Sequence, residues 1–329
     1  MATRRQAVLS LVLAAAMPST VLGQPAGRPR KVGLLYFGSR ESIRSTGRLE
    51  ALMQGMRDLG YVENRDFVVV ERYANGDLNA VAALAREIVN EKVDVVVSTG
   101  GQSNTALRQA TSTIPVVVTI SWDPVREGLA TSLGRPGRNF TGLSSVLDDL
   151  FSKHVDLLRA VNPKLSRFAV LVNPDNIGHP PLVKNIQAAA KSQGLRMLEV
   201  SARSAQDFNG AFAAIARDGS EALIILGDSF YVQHFAELAE RSVKQRVIST
   251  YSGQEYPSAG GFMSYGPSFK DNFRRAASFV DRILRGANAA ELPFEEPVKL
   301  EMVVNLKTAR SVGVEVPHSI LMRVDRVIE

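Results

Sequence analysis

The chain has 329 residues, with 39 lysines and arginines against 33 aspartates and glutamates, a formal charge of +6. These basic residues are scattered rather than clustered, so the excess does not imply a nucleic-acid partner. Cysteine is absent, which excludes disulfides, thiolate metal sites, cysteine-nucleophile catalysis and a lipid anchor on cysteine.

The first segment reads as an export leader. Arg4 and Arg5 form a cationic head, Ala7–Met17 an apolar run, and Val21-Leu22-Gly23 a compact stretch that a signal peptidase can read. The run is too short to span a bilayer permanently, and it has no polar face of the kind a buried amphipathic helix would show. Residues 1–23 are therefore predicted to be a cleavable signal peptide, using the general secretory route or, given the adjacent arginines, the twin-arginine route. The mature chain is expected to be periplasmic. No later apolar run approaches the length of a membrane span, so no direct membrane insertion is expected.

Residues 24–30 form a linker of Pro, Gly and Arg. After it, strands and helices alternate: strand Lys31–Phe37, helix Gly47–Leu59, strand Phe67–Tyr73, helix Leu78–Asn90, strand Val93–Val97, helix Ser103–Ala110 and strand Pro115–Thr119. Continuous apolar strands between helices indicate a parallel sheet covered on both faces. The pattern restarts with strands Phe168–Val172, Leu195–Val200, Ala222–Leu226 and Arg246–Thr250, alternating with helices Pro181–Gln193, Ala205–Arg217 and Phe230–Arg241. Matching strands lie about 130 residues apart, which predicts two lobes of like topology.

Gly137–Ser145 reads as a first crossing between lobes and Ser258–Tyr265 as a second, with Asn139, Thr141, Gly142, Gly261 and Tyr265 as hinge candidates. Helix Phe273–Leu284 follows, then Pro293–Asn305 as a loop and third crossing strand. The predicted fold is α/β: two doubly wound parallel-sheet lobes joined by a multi-strand hinge. Residues 31–141 and 262–298 make lobe 1, and 142–261 and 299–329 make lobe 2. Such lobes enclose a cleft in which a small ligand can bind.

Ligands of doubly wound sheets sit beyond the carboxyl ends of the strands. The Ser98–Asn104 loop joins a buried strand to a helix, so the free N–H groups there, with Thr99, Gly100, Gln102 and Ser103, suit a carboxylate. An ordinary capped helix start is the plain alternative, and without a following Gly-Lys-Ser/Thr it is not a P-loop. Trp122, the only tryptophan, stands in a loop after a strand and is either a packing residue or an aromatic wall, which Tyr36, Tyr251 and Tyr265 could extend. Asp228, with Asp123 or Asp175 as substitutes, is the candidate for a ligand's cationic group; Ser39 and Asn173 lie in the remaining strand-end loops. His154 and His234 read as helix-surface residues, and the four histidines show no metal spacing. No cofactor or metal site is expected.

Gly227-Asp228-Ser229 is similar to the Gly-Asp-Ser block of a class of serine esterases. Those enzymes carry it near the start of the domain and supply an Asp-x-x-His pair, which this chain lacks. Without a histidine base the serine is a weak nucleophile. A binding function without catalysis is the better reading: Asp228 then binds a cationic group and Ser229 caps the next helix.

Several blocks in register carry a wider resemblance: Gln54-Gly-Met-Arg-Asp-Leu-Gly-Tyr61, Thr113-Ile-Pro-Val-Val117, Asp123-Pro-Val125, Met263-Ser-Tyr-Gly-Pro267 and Asn305-Leu-Lys-Thr-Ala309. From about Lys31 to Glu329 the chain resembles ABC-transporter substrate-binding proteins of the type I periplasmic-binding fold, in the group that includes binders of tryptophan and other aromatic amino acids. It departs from the group's pattern at Arg138, Ser268 and the second place of Gly100-Gly101. The resemblance implies a soluble, monomeric receptor that captures a small solute, such as an amino acid or small carboxylate, by hinge closure and delivers it to a membrane permease. A sensor of the same fold reporting to a signalling partner is the rival reading.

Overall fold

The computed structural model describes residues 28–144, 150–296 and 299–329. The expected leader, residues 1–23, and linker residues 24–27 lie outside the described residues. Two sheets form, and the valine-rich strands account for both. The first sheet comprises β1 (Arg30–Tyr36), β2 (Phe67–Tyr73), β3 (Val95–Thr99), β4 (Val116–Ser121) and β5 (Phe140–Ser144), in the order β2-β1-β3-β4-β5 and parallel throughout. Every residue of β3, β4 and β5 is buried, as strands covered on both faces must be.

The second sheet contains β6 (Arg167–Val172), β7 (Arg196–Ser201), β8 (Ala222–Ile225), β9 (Ile248–Tyr251), β10 (Met263–Pro267), β11 (Leu300–Asn305) and β12 (Arg326–Ile328). Its order is β12-β11-β10-β9-β8-β6-β7, parallel except for the β10–β11 pair. The molecule is thus α/β with two parallel-sheet lobes.

The chain passes between lobes after Ser144, between Pro267 and Phe269, and between Glu296 and Lys299. This shifts the expected boundary at 261/262, because β10 hydrogen-bonds to β9 and β11 of the second sheet. The helix after it, Phe269–Leu284, returns to the first lobe and packs on helix Arg48–Asp58. Their backbones approach closely at Gly55, where a Cβ would lie 2.4 Å from the Arg274 carbonyl. That helix buries Phe273, Phe279 and Val280, each contributing about 1.5–3 kcal/mol.

The expected hinge residues lie within the lobes. Asn139 donates to the Ile114 carbonyl at 2.7 Å, Thr141 to the Leu292 carbonyl at 2.7 Å, and Gly142 presses on the Val118 backbone. Gly261 leaves room for the Tyr251 ring, and Tyr265 pairs with Met302 inside the second sheet. Tight sheet contacts hold these positions and leave the crossings to neighbouring residues. The expected helix Phe230–Arg241 is two, Ser229–Gln233 and Phe235–Lys244, interrupted at His234. His154 is fully buried rather than on a surface, with its Nδ1 2.8 Å from Thr250 Oγ1.

Candidate functional site

The carboxyl ends of both parallel sheets face one cavity between the lobes. Tyr36, Thr99, Gly100 and Trp122 line it from the first lobe, as does Asp228 from the second. Gly100 has φ 86°, a left-handed conformation that glycine adopts at little cost, and helix Gly101–Ala110 starts there. A Cβ on Gly100 would stand 2.4 Å from Ser229 Oγ of the opposite lobe. The missing side chain lets this helix start, with its unbonded N–H groups, approach the second lobe.

Asp228 is 4% exposed. Its Oδ1 accepts the Phe230 N–H at 2.8 Å, so Asp228, rather than the expected Ser229, caps the short helix, of which Ser229 is the first residue. Its Oδ2 accepts from Gln102 Nε2 of the first lobe at 2.9 Å and from Asn176 Nδ2 of the second at 2.7 Å. One carboxylate oxygen therefore joins the lobes.

Trp122 crosses the gap in the other direction. Its indole is edge-on to Phe151 at 5.3 Å and rests against Gly178 and Gly227, where a Cβ would meet the ring at 3.1 and 2.9 Å. The Trp122 backbone N–H donates to Glu127 Oε1 at 3.1 Å. Burial raises the Glu127 pKa above the ordinary carboxyl range, and nearby N–H groups partly offset this. Beneath Gly227, His179 donates from Nε2 to the Gly227 carbonyl at 3.2 Å and accepts the Asn173 N–H on Nδ1 at 2.9 Å. These contacts fix a neutral imidazole, and burial lowers its pKa accordingly.

Two charged residues complete the cavity, and the sequence did not single them out. Arg48, in the first turn of its helix, pairs with Glu255 of the second lobe at 2.6 Å; both side chains are under a tenth exposed. The guanidinium also lies 4.5 Å from the centre of the Phe269 ring. Around this pair four cavity-lining hydroxyls, on Tyr36, Thr99, Ser252 and Tyr256, have no hydrogen-bond partner among the described residues. Burial raises the pKa of both tyrosines, so they remain neutral donors.

Other expected residues serve the scaffold. Ser39 caps helix Arg40–Ser45, and Asp123 caps the turn at Val125 and Arg126. Asn173 and Asp175 fold around His179, and Asn176 reaches the cavity instead. Tyr251 stacks on Tyr256 at 4.4 Å with its hydroxyl on Ser249, so Tyr256 is the ring that faces the cavity. Gln102 acts through Asp228, and Ser103 is buried behind the helix start. Ser229 does line the cavity, but no histidine does among the described residues.

A cavity between two sheet-ended lobes, lined by hydroxyls without partners among the described residues, has the form of a small-molecule binding cleft. Comparison with known proteins agrees. The family model "ABC transporter substrate binding protein" matches residues 31–328, and the chain belongs to that family. A tyrosine-binding protein of Clostridioides difficile (strain R20291) is 21% identical over 266 residues, 81% of this chain and 76% of that protein. Among solved structures, a conserved domain protein of Vibrio cholerae is 25% identical, with TM-score 0.85 over 91% of this chain and all of that one. The ABC domain from Streptococcus pneumonia in complex with L-Trp is 22% identical, with TM-score 0.84 over 91% of this chain and all of that one. No described helix is long and apolar enough to cross a membrane.

Proposed function

We propose that this protein is the periplasmic receptor of an importer, capturing an amino acid or similarly small carboxylate between its lobes and handing it to a membrane permease. The observation that carries this reading is a set of four buried hydroxyls, two from each lobe, that line one cavity and find no partner among the described residues. Buried polar groups are nearly always satisfied, so such a set calls for a ligand that satisfies it.

In this reading the solute's carboxylate meets the helix start at Gly100 and Gly101 with Thr99 Oγ1. Its ammonium is placed near Asp228 and Glu255, and its apolar part lies against Trp122, Phe269 and Ile120. Contacts from both lobes exist only when the cleft is shut, so the solute shifts the population toward closure. Micromolar capture needs about 8 kcal/mol net, within reach of several charge-assisted hydrogen bonds and one aromatic contact. Names of relatives that bind tyrosine or L-Trp support an amino acid as the first class to try.

A thermal-shift screen of amino acids and small carboxylates on the mature chain tests the proposal. A saturable rise in melting temperature with one compound class supports it, and no rise with any of them counts against it.

A further inference from the structure

On the far side of the Arg48–Glu255 pair a second pocket, open to solvent at Lys270 and Arg326, lies beside the Pro267–Phe269 crossing. Arg48, Glu255 and Phe269 line both spaces and form the partition between them. Ser45, Thr46 and Lys270 wall the second chamber from the first lobe, and Gln254, Ser258 and Arg326 from the other. The partition pair cancels its own charge, which leaves Lys270 and Arg326 as the net charge of the chamber. Neither forms an ion pair among the described residues, and no carboxylate other than Glu255 lines the chamber. Arg326 donates to Ser258 Oγ at 2.6 Å, which holds its guanidinium along one wall.

We infer that this chamber is an anion site, taking a small carboxylate or phosphate group between Lys270 of one lobe and Arg326 of the other. An anion there is held by cations of both lobes, so it favours the closed arrangement. The inference rests on the cleft reading given above, because only closure makes the chamber. Its anion is either a separate ion or the distal acid of the solute in the main cavity.

The test uses the full mature chain, with inorganic phosphate as probe and sodium chloride at matched ionic strength as control. Phosphate is expected to raise the melting temperature saturably beyond chloride. Lys270→Gln with Arg326→Gln is expected to weaken that response by about tenfold or more. Equal responses to phosphate and chloride, or an undiminished response in the double variant, overturn the inference. Additive shifts from phosphate and a main-cavity solute identify a separate ion; competition between them identifies the solute's own second acid, and either supports the site. A phosphate response that vanishes in the double variant, with no amino acid or carboxylate binding elsewhere, retains the anion site and rejects the proposed solute.

Discussion

Arg48 and Glu255 meet at 2.6 Å across the cleft, a buried ion pair whose partners belong to different lobes. Helix Arg48–Asp58 presents Arg48 at its first turn, and the four-residue helix Glu255–Ser258 presents Glu255. Truncating one partner strands the other charge in a buried site, at a cost of about 3–5 kcal/mol if the cleft stays closed. Opening the cleft to water relieves that cost. Arg48→Ala and Glu255→Ala are therefore expected to shift the free protein toward the open form, seen as a larger radius of gyration by X-ray scattering with unchanged far-UV circular dichroism. An unchanged radius in both variants would show that the pair does not hold the lobes together.

The backbone at Gly100 makes a second prediction. Its φ of 86° and the 2.4 Å approach of Ser229 Oγ leave no place for a methyl group. Gly100→Ala is expected to cost about 1 kcal/mol or more in stability from the backbone alone. It should weaken binding of the solute further, because the added Cβ blocks closure. Gly60→Ala, also at positive φ but in open space, gives the backbone cost without any effect on binding. Chemical denaturation and calorimetry on both variants separate the two terms.

Asp228 supplies a third. Gln102 and Asn176 share its Oδ2 from opposite sides of the cleft. Gln102→Ala removes only the inter-lobe bond, and the solute's affinity should fall by roughly 5- to 10-fold with little change in melting temperature. Asp228→Ala also uncaps helix Ser229–Gln233 and strands two buried amides, so stability itself should drop by about 2 kcal/mol or more. Equal melting temperatures for the two variants would contradict this division of labour.

His154 gives the pH dependence. Burial lowers its pKa from 6.5 to about 4. The folded state thus binds this proton less readily than the unfolded chain, and the stability it contributes is complete above pH 6.5 and lost as pH falls toward 4. The full contribution is about 3 kcal/mol. His154→Gln should reduce the wild-type loss of stability between pH 6.5 and 4, measured by urea midpoints, leaving the part due to His179 and His234. A parallel pH profile in the variant would assign the acid sensitivity elsewhere. Glu127 acts in the opposite sense: its raised pKa means that its contribution is present below about pH 4.5 and declines as pH rises.

Much of the frame was legible because its signals are local. Val95–Thr99 and Val116–Ser121 each open on three consecutive valines, and Gly100 after Thr99 marks a strand-to-helix turn by itself. Trp122 was legible by position, yet its role in crossing to the second lobe depends on Gly178 and Gly227, whose bareness means nothing until the ring is seen beside them. Arg48 and Glu255 could not be found in this way. An arginine starting an amphipathic helix and a glutamate in a loop both read as surface charge, and 207 positions separate them. The lobe boundary was missed for a related reason. Strand Met263–Pro267 and helix Phe269–Leu284 are adjacent in sequence, but they serve different sheets, and only strand pairing reveals it.

The central claim is that two lobes shut on a small solute and do nothing covalent to it. Small-angle X-ray scattering of the mature chain with and without a solute found by calorimetry tests this most directly. The account predicts one-to-one, fully reversible binding, recovery of the solute unchanged, and a smaller radius of gyration for the bound protein than for the Arg48→Ala variant without solute. Saturable binding with identical scattering in all states, or conversion of the solute by the purified chain, would contradict it.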